Sequence, residues 1–564
     1  MTRTEILASL SKTPDLDVLI VGAGVNGIGV FRDLALNGVR ALLVDRADFC
    51  SGASAASSHM LHGGLRYLEN GEFRLVREAL RERNRLLRNA PHYAKPLPTT
   101  IPVFSALSGL WNAPLKFLNL LDRPAERGAA VIKIGLTLYD SYVRGESPMP
   151  GHYFLSRQKS IEQYPLINPK IIGTANYYDG QMISMERLCV ELILDAEAEG
   201  EHARALNYVS LVGARGDAVT LKDEDTGHTF SVRPRVVINA AGPWIDLANR
   251  ALGRETRHIS GTKGSHLVID HPALRKQIGD HGFFFENTDG RIVEINPFRD
   301  KVLVGATDIP IDDPDQAVCS PDEEQYILSL VGKVFPSIAI APSQVVFRYC
   351  GVRPLPAANA HTTGQISRNH SIRAIEPDGD LAFPILSLVG GKWTTYRAFA
   401  EQAADEVLAR LGRTRHNDTR NLPIGGGHDY PMTESEQARW LSETGHDTGL
   451  AGDRLRALFE RYGTQARVVA ASIARDRGGE TFLESRQRYS QQEIAYLVEA
   501  EKTLHLDDLL LRRADIGLMG ETTMPLVKAL ARVAGGVLGW TKERTASEIG
   551  RVVAVFRDRH SVTL

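Results

Sequence analysis

The stretch Leu16-Asp17-Val18-Leu19-Ile20-Val21-Gly22-Ala23-Gly24-Val25-Asn26-Gly27 decides the fold. Leu16 and Val18 to Val21 form an apolar run of the length of a buried strand, and glycines follow it at once. Beyond them Ile28, Val30, Phe31, Leu34 and Ala35 give a helix its packing face, and Gly38 supplies the left-handed end. Ala41 to Val44 then reads as a second strand with Asp45 at its carboxyl end, which closes a βαβ unit. In such a unit Gly22 permits the tight turn, Gly24 lets the backbone approach a pyrophosphate, and Gly27 lets helix and strand pack closely. The helix N-terminus attracts the anion, and Asp45, 18 positions past Gly27, stands near where a ribose ligand is expected. A Rossmann-like dinucleotide domain is the reading.

Working outward, a chain of 564 residues is several times the ~150 expected of one domain. Glu72 to Arg88 reads as a helix with Phe73, Val76, Leu80 and Leu87 on one side; its arginines read as a solvated face balanced by Glu72, Glu78 and Glu82. Phe283 to Glu286, Arg291 to Asn296 and Val302 to Gly305 read as strands of an antiparallel meander, with Asp289-Gly290 and Arg299-Asp300 as turns. That meander lies between two strand-and-glycine segments, Val236 to Gly242 and Leu386 to Gly391, so the dinucleotide domain is predicted to be discontinuous. Past Gly425-Gly426-Gly427 the pattern turns helical, as in Ala466 to Ala474 and in Ile549, Val552, Val553 and Phe556. The predicted fold is α/β, a discontinuous Rossmann-like domain carrying an inserted antiparallel sheet, followed by a C-terminal helical domain.

Composition excludes several classes. With 43% apolar and 24% charged residues the chain is neither disordered nor a disulfide scaffold. Its net charge of −2 argues against nucleic acid as a main partner. Cys50, Cys189, Cys319 and Cys350 lie far apart without a CxxC pair, which speaks against zinc and for buried thiols in a reducing compartment. No apolar run serves as a signal peptide or reaches the ~18 to 20 residues of a spanning helix, so a cytoplasmic protein, at most attached to a membrane surface, is expected.

Four polar clusters stand beside glycines: Ser57-Ser58-His59-Met60-Leu61-His62-Gly63-Gly64-Leu65-Arg66-Tyr67, Thr262-Lys263-Gly264-Ser265-His266, Gly351-Val352-Arg353-Pro354-Leu355 and Gly390-Gly391-Lys392-Trp393-Thr394-Thr395-Tyr396-Arg397. With them the chain resembles the flavin-dependent glycerol-3-phosphate dehydrogenases, a branch of the glycine/D-amino-acid oxidase-like flavoproteins. The likeness runs from about Asp17 through Ala400 and more weakly through the C-terminal domain with its Leu511-Arg512-Arg513-Ala514. It implies FAD held by Gly22, Gly24, Gly27 and Asp45, by Ser57 and Ser58, by Ala241 and Gly242 within Asn239 to Trp244, and by Gly391, Lys392 and Thr394. A flavin-side pocket with Arg66, Tyr67, His266, Arg353, Arg368 and Lys392 is implied as well. The implied FAD-binding domain comprises 15–100, 180–260 and 345–405, the substrate domain 101–179 and 261–344, and the helical domain 430–564. Departures from the family pattern are Gly305-Ala306-Thr307-Asp308 in place of Gly-Thr-Thr-Asp, His59 where a lysine is frequent, and Phe31 and Asn37 in the first helix.

The chemistry of these residues agrees. Arginine forks bind phosphate oxygens bidentately, so Arg66, Arg353 and Arg368 suit a phosphorylated alcohol. Flavin supplies the redox step for such an alcohol, and a base must take the hydroxyl proton. His266 is the base expected from its residue type, and Lys392 is expected to face the flavin or the substrate. His62 and Trp393 read as scaffold, while Asp308 reads equally as a strand-end cap or a pocket residue. The implied reaction is sn-glycerol 3-phosphate to dihydroxyacetone phosphate, with electrons passed to a membrane quinone at the inner face of the cell membrane. An oxidase that uses oxygen and a flavin-binding scaffold without turnover are the alternatives, and a homo-oligomer stays open.

The expected membrane contact is Leu110 to Leu121, an apolar stretch with Trp111 and Phe117, followed by Arg123 and Arg127. On this reading the protein sediments with anionic liposomes, and Trp111→Glu with Phe117→Glu releases it without loss of dye-linked activity. Retained binding by the double variant assigns the stretch to the core.

Overall fold

The computed structural model describes residues 1–68, 71–106, 128–142, 149–287, 291–357, 369–476, 478–483 and 488–564. Leu110 to Leu121, the Asp289-Gly290 turn and Arg368 lie outside the described residues, as does the side chain of Arg66. In chain order the strands are β1 Asp15–Val21, β2 Ala41–Val44, β3 Met60–Leu61, β4 Ala94–Val103, β5 Tyr153–Ser156, β6 Gly173–Met182, β7 Ala203–Leu206, β8 Val209–Arg215 and β9 Ala218–Asp223. They continue with β10 Thr229–Asn239, β11 Ile259–Ile269, β12 Gly282–Glu286, β13 Ile292–Phe298, β14 Lys301–Gly305, β15 Ile309–Pro310, β16 Val345–Pro356, β17 Ser371–Ile375 and β18 Ile385–Val389.

Two sheets result. The first runs β17-β18-β10-β1-β2-β7, with β18, β10, β1, β2 and β7 parallel. Its strands are apolar on both sides because both faces are covered, one by the helices Val25–Leu36 and Tyr396–Leu411 and the other by the antiparallel strands β8 and β9 with the helix Arg3–Lys12. The helix Val25–Leu36 follows β1 directly and ends at Asn37, with Gly38 at φ +66°. The second sheet runs β15-β11-β14-β13-β12-β4-β6-β3, with β16 on β11 and β5 on β6. The predicted meander is its centre, β12, β13 and β14 pairing antiparallel.

Alternation divides the second sheet into two faces. Leu267 and Ile269, Val293 and Ile295, and Val302 and Val304 share one core with Ile327, Leu330 and Val331 of the helix Pro321–Val334. The intervening residues, among them His266 and Val268, Glu294, Leu303 and Gly305, point to the other side. There Val268, Phe298, Leu303, Phe347 and Tyr349 join the core of the helical domain. A strand covered on both faces cannot be recognised from one apolar stripe.

The structure corrects several sequence expectations. In the helix Phe73–Asn89, Glu82 and Arg83 are buried: Arg83 pairs with Asp179 at 2.8 Å and Glu82 takes Arg397 at 2.6 Å, while Phe73 is exposed. Segment 345–405 divides, since β16 belongs to the second sheet and β18 to the first. Cys350 is only half-buried, unlike the other three thiols. Gly425–Gly427 is an enclosed turn; a Cβ on Gly426 would collide with the Tyr462 carbonyl, and one on Gly427 with that of Asn89.

The helical domain is locked to the first sheet by buried charge. Arg513 donates to both oxygens of Asp48, at 2.8 and 2.9 Å, Arg512 donates its Nε–H to the same carboxylate, and Asn207 adds a bond at 2.9 Å. Burial alone would raise the Asp48 pKa, but the two guanidinium charges outweigh it and hold the carboxyl well below its usual value. Arg512 is therefore interior. Asp48→Ala leaves buried Arg513 without its carboxylate, while Arg512 keeps Asp508 at 2.8 Å, and is expected to cost about 3 to 5 kcal/mol. Thermal unfolding followed in the near ultraviolet reads this loss, and an unchanged midpoint would refute the locking role.

Candidate cofactor and substrate site

The glycine turn carries out the steric roles its sequence predicts. Gly22 stands at φ +106°, and a Cβ there would lie 2.6 Å from the Ala240 carbonyl oxygen. A Cβ on Gly27 would collide with the Gly22 carbonyl, so helix and turn meet at backbone contact. Gly24 differs: the nearest atom to its Cβ position is Ser54 Oγ at 3.2 Å, which leaves the helix N-terminus open to a ligand. A cavity of about 550 Å³ lies there, lined by Gly24, Asp45, Ser54, Ala241, Gly242 and, from the helical domain, Arg512.

Asp45 closes one end. Its carboxylate accepts from the amides of Ala23 at 2.7 Å and Ala47 at 2.9 Å, while burial pushes its pKa up to about 6. Of the serines between 51 and 58, Ser54 meets the turn, its Oγ accepting from the Val25 amide at 3.0 Å. Ser57 and Ser58 do not line this cavity. Ser57 contacts Met185 Sδ at 2.8 Å and accepts the Tyr349 hydroxyl on its carbonyl at 2.7 Å, and Ser58 hydrogen-bonds to Glu294. No spacing rule distinguishes these serines in advance.

The Gly390 to Arg397 segment folds back onto the same turn. Gly391 stands at φ +100°, where a Cβ would lie 3.4 Å from Asn26 Nδ2, and the Trp393 indole donates to the Ser54 carbonyl at 3.0 Å. Thr394 is buried, and Lys392 reaches outward with its Nζ 3.8 Å over the ring of Tyr67. Tyr67 in turn stacks on His62 at 6.5 Å. The His62-Gly63-Gly64 loop is held from beneath: the Gly63 amide donates to the Tyr139 hydroxyl at 2.8 Å, which donates to Asp179 at 2.6 Å.

His266 and Arg353 stand on paired strands of the second sheet. The His266 ring stacks on Tyr349 at 5.0 Å and 13°, leans over Gly305, and is 3% exposed. Neither ring nitrogen has a hydrogen-bond partner among the described residues, and burial, reinforced by the charge of Arg353, pushes the pKa down to about 3. Arg353 crosses Gly264 and meets Asp308 at 3.3 Å, which makes Asp308 an ion-pair partner. Thr307 donates to Glu323 at 2.6 Å and serves the sheet. His59, in a left-handed conformation at φ +57°, donates from Nδ1 to the Met182 carbonyl at 3.0 Å.

The donor set fits FAD. A helix N-terminus beside an open glycine suits the pyrophosphate, Asp45 suits a ribose hydroxyl pair, and the unpartnered nitrogens of buried His266 mark a place where a polar ligand is missing. Known proteins agree. A family profile described as FAD dependent oxidoreductase matches residues 17–379, and one described as C-terminal domain of alpha-glycerophosphate oxidase matches 417–545. A glycerol-3-phosphate dehydrogenase of Synechocystis sp. is 34% identical over 560 residues, spanning 94% of this chain and 95% of its own. D-erythritol 1-phosphate dehydrogenase of Brucella abortus is 30% identical, spanning 88% and 93%. The structure of a glycerol-3-phosphate dehydrogenase from Bacillus halodurans complexed with FAD superposes with a TM-score of 0.74 at 23% identity, over 99% and 97% of the two chains, and speaks for the fold.

Gly24→Val fills the open approach to the helix N-terminus without burdening the Gly22–Ala240 contact. The variant is expected to fold but to purify colourless or to lose flavin on dilution. Retained flavin absorbance would remove this turn from the cofactor site.

Proposed function

The chain belongs to the FAD-dependent oxidoreductases, in their glycerol-3-phosphate dehydrogenase branch, and from that membership we propose that it oxidises sn-glycerol 3-phosphate to dihydroxyacetone phosphate. The observation that carries the reading is the convergence, beside a dinucleotide cavity, of a cationic pair and a neutral imidazole: Lys392 over Tyr67, and Arg353 next to His266.

Gly22, Gly24 and Gly27 would hold the pyrophosphate of FAD, Asp45 its ribose, and Ala241, Gly242, Gly391 and Thr394 the walls around it. When bound, FAD supplies a two-electron acceptor. Arg353, with Arg66 and Arg368 in support, binds the substrate phosphate, because a guanidinium fork matches two phosphate oxygens. Tyr67 and Lys392 would complete the flavin-side pocket. His266, kept neutral by burial, offers a ring nitrogen to the substrate hydroxyl and orients it. The buried surroundings strengthen these electrostatic contacts.

A membrane quinone as the next acceptor, and a peripheral place on the inner face of the cell membrane, complete the proposal. Among the described residues no helix is long and apolar enough to cross a membrane. The helix Ala129–Ser141 exposes Ile134 and Leu138 beside the residues that flank Leu110 to Leu121, which supports a surface attachment there. The C-terminal family profile, named for an oxidase, favours direct reaction with oxygen as the second reading.

Anaerobic addition of glycerol 3-phosphate to the holoenzyme is expected to bleach the flavin bands, and peroxide release in air distinguishes the oxidase reading. Arg353→Ala loses charged hydrogen bonds worth about 1.5 to 3 kcal/mol, so the apparent KM should rise roughly 10- to 100-fold with flavin content unchanged. An unaltered KM would take Arg353 out of the phosphate site.

A further inference from the structure

We propose that Glu294, rather than His266, holds the proton taken from the substrate hydroxyl, the two residues sharing one rung of the second sheet across the side-chain-free position of Gly305. The inference rests on the proposed oxidation of glycerol 3-phosphate and assigns the proton step of that reaction.

The rung is continuous. Glu294 of β13 pairs with Gly305 of β14, Gly305 with His266 of β11, and His266 with Tyr349 of β16. Glu294 shares the His266 face of the sheet, because its neighbours Val293 and Ile295 enter the opposite core. Tyr349 covers one side of the imidazole, and on the other the ring leans over Gly305, where any side chain would displace it. The space between imidazole and carboxyl is thus kept by a glycine. Across the rung stands the 57–59 loop, whose Ser58 hydrogen-bonds to Glu294.

The charged and titratable groups facing Glu294 come from every neighbouring element. Arg353 of β16 favours its anion, while Asp179 of β6 opposes it. Asp179 is itself tied to Arg83 and the Tyr139 hydroxyl. Tyr177 of β6 and Tyr349 lie within its electrostatic reach, and His59 lies within that of His266. Burial dominates this balance and pushes Glu294 up to about 7, whereas it pushes His266 down to about 3. Two groups driven apart in this way divide the work of acid–base chemistry. Near neutral pH the neutral imidazole donates its ring N–H to the substrate oxygen and takes up no proton; the Glu294 carboxylate accepts the hydroxyl proton. In the reaction the substrate O–H bond breaks and its proton passes to a Glu294 oxygen. The carbinol C–H bond breaks with its electron pair going to bound FAD, and the C=O bond forms.

The test is the pH dependence of the limiting rate of anaerobic flavin bleaching by glycerol 3-phosphate, measured at saturating substrate so that titration of the substrate's own phosphate enters only the apparent affinity. In the wild-type holoenzyme this rate is expected to rise with pH as Glu294 ionises near 7. Glu294→Gln, which imitates the neutral carboxyl and keeps flavin, is expected to lower the plateau rate by about 100-fold, within the range of general-base effects, and to abolish the rise. Glu294→Asp is expected to retain a rise at a shifted pH with an intermediate rate. A rise that persists unchanged in Glu294→Gln overturns the inference while leaving the substrate reading intact. A wild-type holoenzyme that glycerol 3-phosphate does not bleach overturns the substrate reading, and the inference with it.

Discussion

The whole molecule is organised by one steric constraint, the backbone contact between the end of β1 and the start of the helix behind it. Gly22, Gly27 and Ala240 meet where no Cβ fits between them. That contact sets the helix N-terminus over the carboxyl edge of the parallel sheet, which is where a doubly wound fold binds ligands. β10 then pairs with β1 and β18 with β10, so the chain returns twice to this edge, first between β6 and β11 of the second sheet and again after its last strand, β16. The second sheet is thereby threaded through the first, and its strand β16 brings Tyr349, Gly351 and Pro354 to the wall of the cofactor cavity.

How much of this was legible depends on whether a residue's surroundings are local. The βαβ unit, the meander and the helical tail follow from short-range periodicity, and the structure contains each of them. The motif clusters also contain Gly391 and Trp393, which the fold sets beside Asn26 and the Ser54 carbonyl. What stayed hidden depends on partners distant in sequence. Glu82 and Arg83 looked like members of a charged helix face, yet Arg397 and Asp179 draw them inside. Ser54 could not be told from Ser57 or Ser58 without knowing which one meets the Val25 amide. Glu294 sat in a strand whose alternate residues are expected to face water; here the helical domain and the 57–59 loop cover that face.

Buried ion pairs hold several of the junctions among the described residues. Arg187 meets Glu501 through two bonds of 2.8 and 2.9 Å, Arg397 meets Glu82 and Glu401, and Arg513 meets Asp48. The Arg187–Glu501, Arg397–Glu82 and Arg513–Asp48 pairs join elements far apart in the chain, while Arg397–Glu401 lies within one helix. Against these paired ions the His266 side of the second sheet stands out, because its imidazole nitrogens find no partner among the described residues and burial pushes the Glu294 carboxyl up to about 7.

The docking of Arg513 on Asp48 also bears on the order of events during synthesis. The two residues are 465 positions apart, and Trp393 is 339 positions from the Ser54 carbonyl it holds. At ~5 to 20 residues per second, roughly half a minute to a minute and a half separates the emergence of Asp48 from that of its arginine. The βαβ unit can form early, but it waits through that interval with an uncompensated carboxylate at the place where the helical domain will dock. Completion of the flavin cavity is therefore a late event on the ribosome, and a chain cut short before residue 512 exposes Asp48 where the full chain buries it.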